Sequence, residues 1–274
     1  MSPAAPDRDG PDEGGDASFA AFANRLADAA GAVIRPHFRT AIAVDAKADL
    51  SPVTIADREA EGAMRALITA HFPDHGIIGE EFGSHRPEAR HVWVLDPIDG
   101  TKSFISGVPL FGTLIALLRE GRPLLGVIDQ PISRERWIGG RGQPSTLNGR
   151  PLATRRGGDI GAASLFATAP DMFKGDEAAR FARLQAKVRL TRFGADCYAY
   201  GLLAAGFIDL VAEASLKPYD YAALIPIVEG AGGVITDWSG APLGLGGDGR
   251  VLAAGDAAIH LAALAALAGG RNRG

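Results

Sequence analysis

The stretch VWVLDPIDGTKSF, residues 92–104, runs from the apolar VWVL directly into Asp96 and Asp99, with Pro97 between them and Gly100 and Thr101 behind. A short apolar run bounded by turn residues reads as a buried strand. Two carboxylates about 5 Å apart repel by roughly 3 kcal/mol at an effective dielectric near 20, so a pair at the end of such a strand calls for a proton or a cation. Further ligands of that cation should then lie elsewhere in the chain.

Working outward, GIIGEE ends in Glu80 and Glu81, SPVTIAD ends on Asp57, and KPYDYAALIPIVEGAGG carries Asp220. All but Asp57 stand where an apolar segment ends or a helix begins, the positions at which side chains converge at a sheet edge. Carboxylates converging without His or Cys select a hard cation such as Mg²⁺. Any one of these acids taken singly has a plainer reading as a turn residue or helix N-cap, and the joint pattern carries the argument. None of the six histidines is assigned to catalysis.

The bulk properties narrow the function. A chain of 274 residues with 47% hydrophobic and 22% charged content builds its core without disulfide support. A net charge of −4 argues against a nucleic-acid partner, which needs clustered Lys and Arg. No apolar run reaches the roughly 20 residues of a membrane span. The single cysteine, Cys197, and a start lacking basic and apolar leader regions predict a cytoplasmic protein.

Residues 1–16, rich in Pro, Gly and Asp, read as a disordered tail. Over residues 17–150 the pattern predicts helices at 18–38 and 57–71 against a largely antiparallel sheet, with tight turns at REGRP and at Asn148-Gly149. Over residues 151–270 strands alternate with helices at 176–187, 197–205 and 221–229 and at the C-terminal end, which suggests a second layered α/β half. No repeat of 20 to 50 residues is present.

Taken together, GEE, WVLDPIDGTKSF and a distal YD followed by AGG resemble the inositol monophosphatase superfamily of Mg²⁺-dependent phosphatases. The resemblance covers most of the chain and implies an α/β fold, a five-layered αβαβα sandwich of the inositol monophosphatase/fructose-1,6-bisphosphatase type. It further implies Glu80, Asp96, Asp99, Asp220 and the carbonyl of Ile98 as ligands for about two or three Mg²⁺ ions. Asp57 and Thr101 would orient the metal-activated water, Glu81 would assist from outside the ligand set, and the amides of Gly100 and Thr101 would receive the phosphate. A homodimer is expected on the same ground.

The second half departs from the inositol phosphatase pattern, with DCYAY upstream and YDYAALIPIVEGAGGVITDW downstream, and is similar to the histidinol-phosphate phosphatase branch. Asp196 and Glu213 become candidate substrate contacts, since histidinol phosphate carries an ammonium and an imidazole that acids can hold. The plainer alternatives are a helix N-cap for Asp196 and a solvated strand end for Glu213. The expected partner is a small phosphate monoester, most simply histidinol phosphate in histidine biosynthesis. Broad inositol-1-phosphate hydrolysis is the enzymatic alternative, and a catalytically silent, RNA- or transcription-partner-binding relative is the alternative of another class.

Overall fold

The computed structural model describes residues 16–41, 43–46 and 52–269 of the protein. The expected N-terminal tail lies outside the described residues except for Asp16, which opens helix α1 (Asp16–Ile34). That helix stops four residues before the predicted end at Phe38: Pro36 lacks the N–H that would continue the ladder, and Arg35–His37 tighten into a 3₁₀ turn. A small antiparallel hairpin, β1 (Val44–Ala46) with β2 (Pro52–Thr54), leads into helix α2 (Ile55–His71).

Helix α2 begins before Asp57 because Thr54 caps it. The Thr54 hydroxyl accepts from the Ala56 N–H at 3.2 Å, and Asp57 Oδ2 in return accepts from the Thr54 N–H at 2.8 Å and its hydroxyl at 2.6 Å. This reciprocal box satisfies amides that the first helical turn leaves without partners.

Eight strands form the larger sheet: β3 (Gly76–Gly79), β4 (Gly83–His85), β5 (His91–Asp99), β6 (Gly112–Arg119), β7 (Arg122–Gln130), β8 (Glu135–Gly140), β9 (Gln143–Leu147) and β10 (Arg150–Pro151), in the order β10-β9-β8-β7-β6-β5-β3-β4. A short helix, α3 (Thr101–Ile105), separates β5 from β6. Every pairing is antiparallel except β3 with β5. That exception matters: two parallel neighbours end at the same sheet edge, so Glu80 and Asp96 emerge side by side. Strand β5 also runs on to Asp99, beyond the Leu95 end that its apolar run suggests, with a register shift between Asp96 and Asp99 that accommodates Pro97.

The second sheet has five strands, in the order β12-β11-β13-β15-β14, made of β11 (Ser164–Ala167), β12 (Leu190–Phe193), β13 (Leu210–Glu213), β14 (Val234–Thr236) and β15 (Val251–Ala254). Its helices are α4 (Asp176–Gln185), α5 (Tyr198–Ala204), α6 (Pro218–Tyr221), α7 (Leu224–Gly230) and α8 (Ala257–Ala268). The single helix expected over 221–229 is thus two. Pro226 cannot donate to the Ala222 carbonyl, and the chain turns at Ala222 and Ala223 before helix resumes.

Three apolar cores stack these elements as α, β, α, β, α. Leu26, Met64, Trp93, Leu95 and Val127 join α1 and α2 to one face of the large sheet. Val92, Val94, Leu114, Tyr200, Leu203, Ile227 and Val211 fill the middle layer between the sheets. Leu165, Phe181, Leu184, Leu252 and Ile259 seal the outer face of the small sheet under α4 and α8. Because β5 is covered on both faces, it reads as continuous rather than alternating apolar sequence. No described helix is long and apolar enough to cross a membrane.

The joint between the layers depends on two glycines that face each other across β7 and β8, Gly126 and Gly139. A Cβ on Gly126 would lie 2.0 Å from the Ala223 carbonyl oxygen, and one on Gly139 would lie 2.4 Å from that of Pro226. Only bare backbone lets the α6–α7 segment seat this closely. Gly126→Ala should therefore lower the free energy of unfolding by about 1–3 kcal/mol through overpacking, read from urea melts. Unchanged stability would show that the joint tolerates displacement.

Candidate metal centre and substrate cavity

At the edge where β3 and β5 end, a cavity of about 130 Å³ opens between the two sheets. It is lined by acids from both halves of the sequence: Glu80, Asp96 and Asp99 from one, Asp196, Glu213 and Asp220 from the other. Ile98, Gly100 and Thr101 line it as well. Carboxylate oxygens of Asp96, Asp99 and Asp220 all lie within 4.8 Å of one another.

Each of these carboxylates is held by a backbone amide. Ile98 N–H donates to Asp96 Oδ1 at 3.1 Å, the Cys197 amide donates to Asp99 Oδ2 at 2.6 Å, and the Lys217 amide donates to Asp220 Oδ2 at 2.6 Å. The Asp99 bond crosses between the two sheets. The Pro97 carbonyl accepts from the Thr113 hydroxyl at 2.8 Å, pinning the irregular end of β5. Gly100 follows with φ of 84°, and a Cβ there would stand 2.9 Å from Cγ of Asp196. Glycine is therefore required at this position both by conformation and by space.

The electrostatics of the cavity favour the uncharged carboxyl or a neighbouring cation. Burial pushes the Asp96 carboxyl well above its usual range, and the charges of Glu80, Asp99 and Asp220 push the same way. Asp99 is raised by burial and by Asp196, and Asp220 reaches about 7 chiefly through burial. Glu213 is also pushed up to about 7 by burial, against the opposing bonds from Thr168 and Tyr200. Among the described residues no Lys, Arg or His lines the cavity. An all-oxygen set of carboxylates plus the Ile98 carbonyl suits a hard divalent cation, so the residues present fit Mg²⁺.

Two of the residues singled out from sequence do not line the cavity, Asp57 and Glu81. Asp57 is buried in the first turn of α2, raised by its desolvation, and touches the site through Thr101, whose hydroxyl lies 3.5 Å from Asp57 Oδ1 and donates to the Ile98 carbonyl at 3.1 Å. Glu81 sits one residue past Glu80 with its amide turned to Glu61.

The plainer readings of Asp196 and Glu213 give way. Asp196 is not a helix cap: its backbone is left-handed at φ of 46°, Cys197 takes the cap position of α5, and Asp196 Oδ2 accepts from the Ser103 hydroxyl at 2.8 Å. Burial raises its carboxyl, against the pull of Ser103 and Lys102. Glu213 is not solvated but 3% exposed, with Oε1 taking the Thr168 amide and hydroxyl and Oε2 taking the Tyr200 hydroxyl.

Sequence reasoning passed over Thr168, Met172, Tyr200 and Leu216, which complete the lining, and gave Cys197 no site role, although it lines the cavity too. Their residue types are ordinary for a core, and the contacts that bring them here are formed across the sheets.

The comparisons with known proteins agree with this geometry. The model of the inositol monophosphatase family matches residues 16–270. The chain is 51% identical over 258 residues to a bifunctional phosphatase IMPL2, chloroplastic, of Arabidopsis thaliana, covering 91% of this chain and 75% of that one. It is 38% identical over 234 residues to a histidinol-phosphatase of Chlorobaculum parvum, covering 85% and 90%. Among solved structures, an inositol monophosphatase from Zymomonas mobilis superposes with a TM-score of 0.84 at 50% identity over 90% of this chain and 96% of that one. The protein belongs to the inositol monophosphatase family and has the fold of its phosphatases.

Proposed function

We propose that the protein is a Mg²⁺-dependent phosphatase that hydrolyses a small phosphate monoester by attack of water, with histidinol phosphate as its preferred substrate. The observation that carries the reading is the surplus of acid: after Glu80, Asp96, Asp99 and Asp220 are assigned to metal, Asp196 and Glu213 remain in the same cavity. A cationic organic group has use for them, whereas the hydroxyls of inositol phosphate do not need such charge. The histidinol-phosphatase named among the relatives supports the same choice.

Glu80, Asp96, Asp99, Asp220 and the Ile98 carbonyl would hold the ions. Bound Mg²⁺ supplies positive charge that favours ionisation of water and offsets the charge of the phosphate. The chain's own part is orientation. Thr101 points its proton at the Ile98 carbonyl and Asp57, leaving hydroxyl lone pairs to accept from a water and aim it at phosphorus. The amides of Gly100 and Thr101 would meet the phosphate oxygens. Asp196, braced by Ser103, faces the ammonium, while Met172 and Leu216 offer an apolar wall to the imidazole. A homodimer and a cytoplasmic location accompany this reading as expectations from the sequence.

A substrate panel tests it. With Mg²⁺ present, phosphate release from histidinol phosphate should exceed that from inositol 1-phosphate by at least about a hundredfold in kcat/KM. Asp196→Asn should raise KM for the first and leave the second nearly unchanged. Comparable rates would return the protein to broad inositol-phosphate hydrolysis.

Asp96→Asn should lower turnover by at least about a hundredfold while raising the melting temperature of the metal-free protein, because it removes a buried, repelled charge. Retained turnover would remove Asp96 from the chemistry.

The pH dependence follows from the same carboxyls. A raised folded pKa means the folded state binds the proton more tightly than the unfolded state. Metal-free stability is therefore fullest near the ordinary carboxyl range and falls as pH rises through about 7, the value for Asp220 and Glu213. Mg²⁺ should replace the proton on Asp220, so its gain in melting temperature should be larger at pH 8 than at pH 5. An equal gain at both would exclude Asp220 as its ligand.

A further inference from the structure

Helix α2 carries a second buried carboxylate one turn beyond Asp57, on the same face: Glu61, which is 0% exposed. Its oxygens are turned to the loop between β3 and β4. Oε2 accepts from the Glu81 amide at 2.8 Å, and Oε1 accepts from the Phe82 amide at 3.1 Å and from Nε of Arg65 at 2.7 Å. Arg65 also donates to the Gly83 carbonyl, and its guanidinium lies 5.9 Å from the centre of the Phe82 ring. A Cβ on Gly79 would stand 2.0 Å from Glu61 Oε1, so the strand end is bare where the carboxylate sits.

Glu80 is thus gripped from both sides. Its own amide donates to the Leu95 carbonyl at 3.2 Å, tying it to β5, and the next two amides are tied to α2 through Glu61. Without the second tie, repulsion from Asp96 would swing the loop outward, since Glu80 is among the charges that raise Asp96. An ion pair of Glu61 with Arg65 alone would need no loop amides. Three donors converging on two oxygens make the carboxylate a bracket.

We propose that Glu61 is a positioning residue that holds Glu80 in place for the divalent cation and keeps it in register with Asp57 at the start of the same helix. The proposal deepens the phosphatase reading and rests on it for the identity of the ion.

The test is calorimetric titration of Mg²⁺ into the full chain without substrate, alongside the Mg²⁺ dependence of phosphate release. Glu61→Gln keeps the shape but sets an NH₂ against a backbone N–H. It should weaken Mg²⁺ binding by about 10- to 100-fold, the usual cost of losing a group that orients a ligand, while kcat at saturating Mg²⁺ stays within about threefold. Leu184→Ala, in the outer core and far from the loop, controls for lost stability and should leave Mg²⁺ affinity unchanged.

Should Glu61→Gln fail to fold, Arg65→Lys takes its place. It keeps one bond to Glu61, gives up the Gly83 contact and should weaken Mg²⁺ binding several-fold. Wild-type Mg²⁺ affinity in the folded Glu61→Gln protein, or in Arg65→Lys where that is the variant read, overturns the proposal. A wild-type chain that binds Mg²⁺ but releases no phosphate sinks the phosphatase reading while the calorimetric comparison still judges Glu61. A wild-type chain that binds no Mg²⁺ overturns both.

Discussion

Six carboxylates around one small cavity, with no cationic side chain among the described residues of its wall, form the constraint to which the rest of the molecule answers. Left to themselves they would take up protons or force the walls apart. The fold resists this with anchors on each acid: a backbone amide from Ile98, Cys197 or Lys217 for Asp96, Asp99 and Asp220, a parallel strand pair that fixes Glu80 beside Asp96, Ser103 on Asp196, and Thr168 with Tyr200 on Glu213. The cross-sheet bond from Cys197 to Asp99 shows how the two layers share the task. Positions that burden folding while their charges stand uncompensated are the ones that would hold the proposed Mg²⁺.

Much of this was legible before any coordinates. Asp96 and Asp99 announce themselves because a strand buried on both faces runs straight into them; Glu80 follows the same rule at another apolar end, and Asp220 stands where a helix begins. Asp196 and Glu213 were less legible. An Asp before a helical segment and a Glu at a strand end have common local explanations, and what distinguishes them is Ser103, Thr168 and Tyr200, which lie 93, 45 and 13 residues away. Glu61 gave no signal at all: within its own helix it is an ordinary partner for Arg65 at the next turn.

Local rules failed where a proline or a cap intervened. Pro36 closes α1 early, Pro226 divides a helix that its apolar pattern would have carried through, and Thr54 starts α2 ahead of its first acid. These departures have consequences for the site. The break at Ala222 and Ala223 lets α6 present Asp220 to the cavity while α7 lies flat on Gly126 and Gly139.

Asp57 illustrates how closely architecture and chemistry are joined. One of its oxygens closes the cap of α2 and the other faces Thr101. In the proposed reaction a single side chain would thus serve as both masonry and tool, and its removal would loosen a helix at the same stroke as it blunted catalysis. On that reading an inert copy of this protein could not arise by discarding that group alone without also becoming a weaker building.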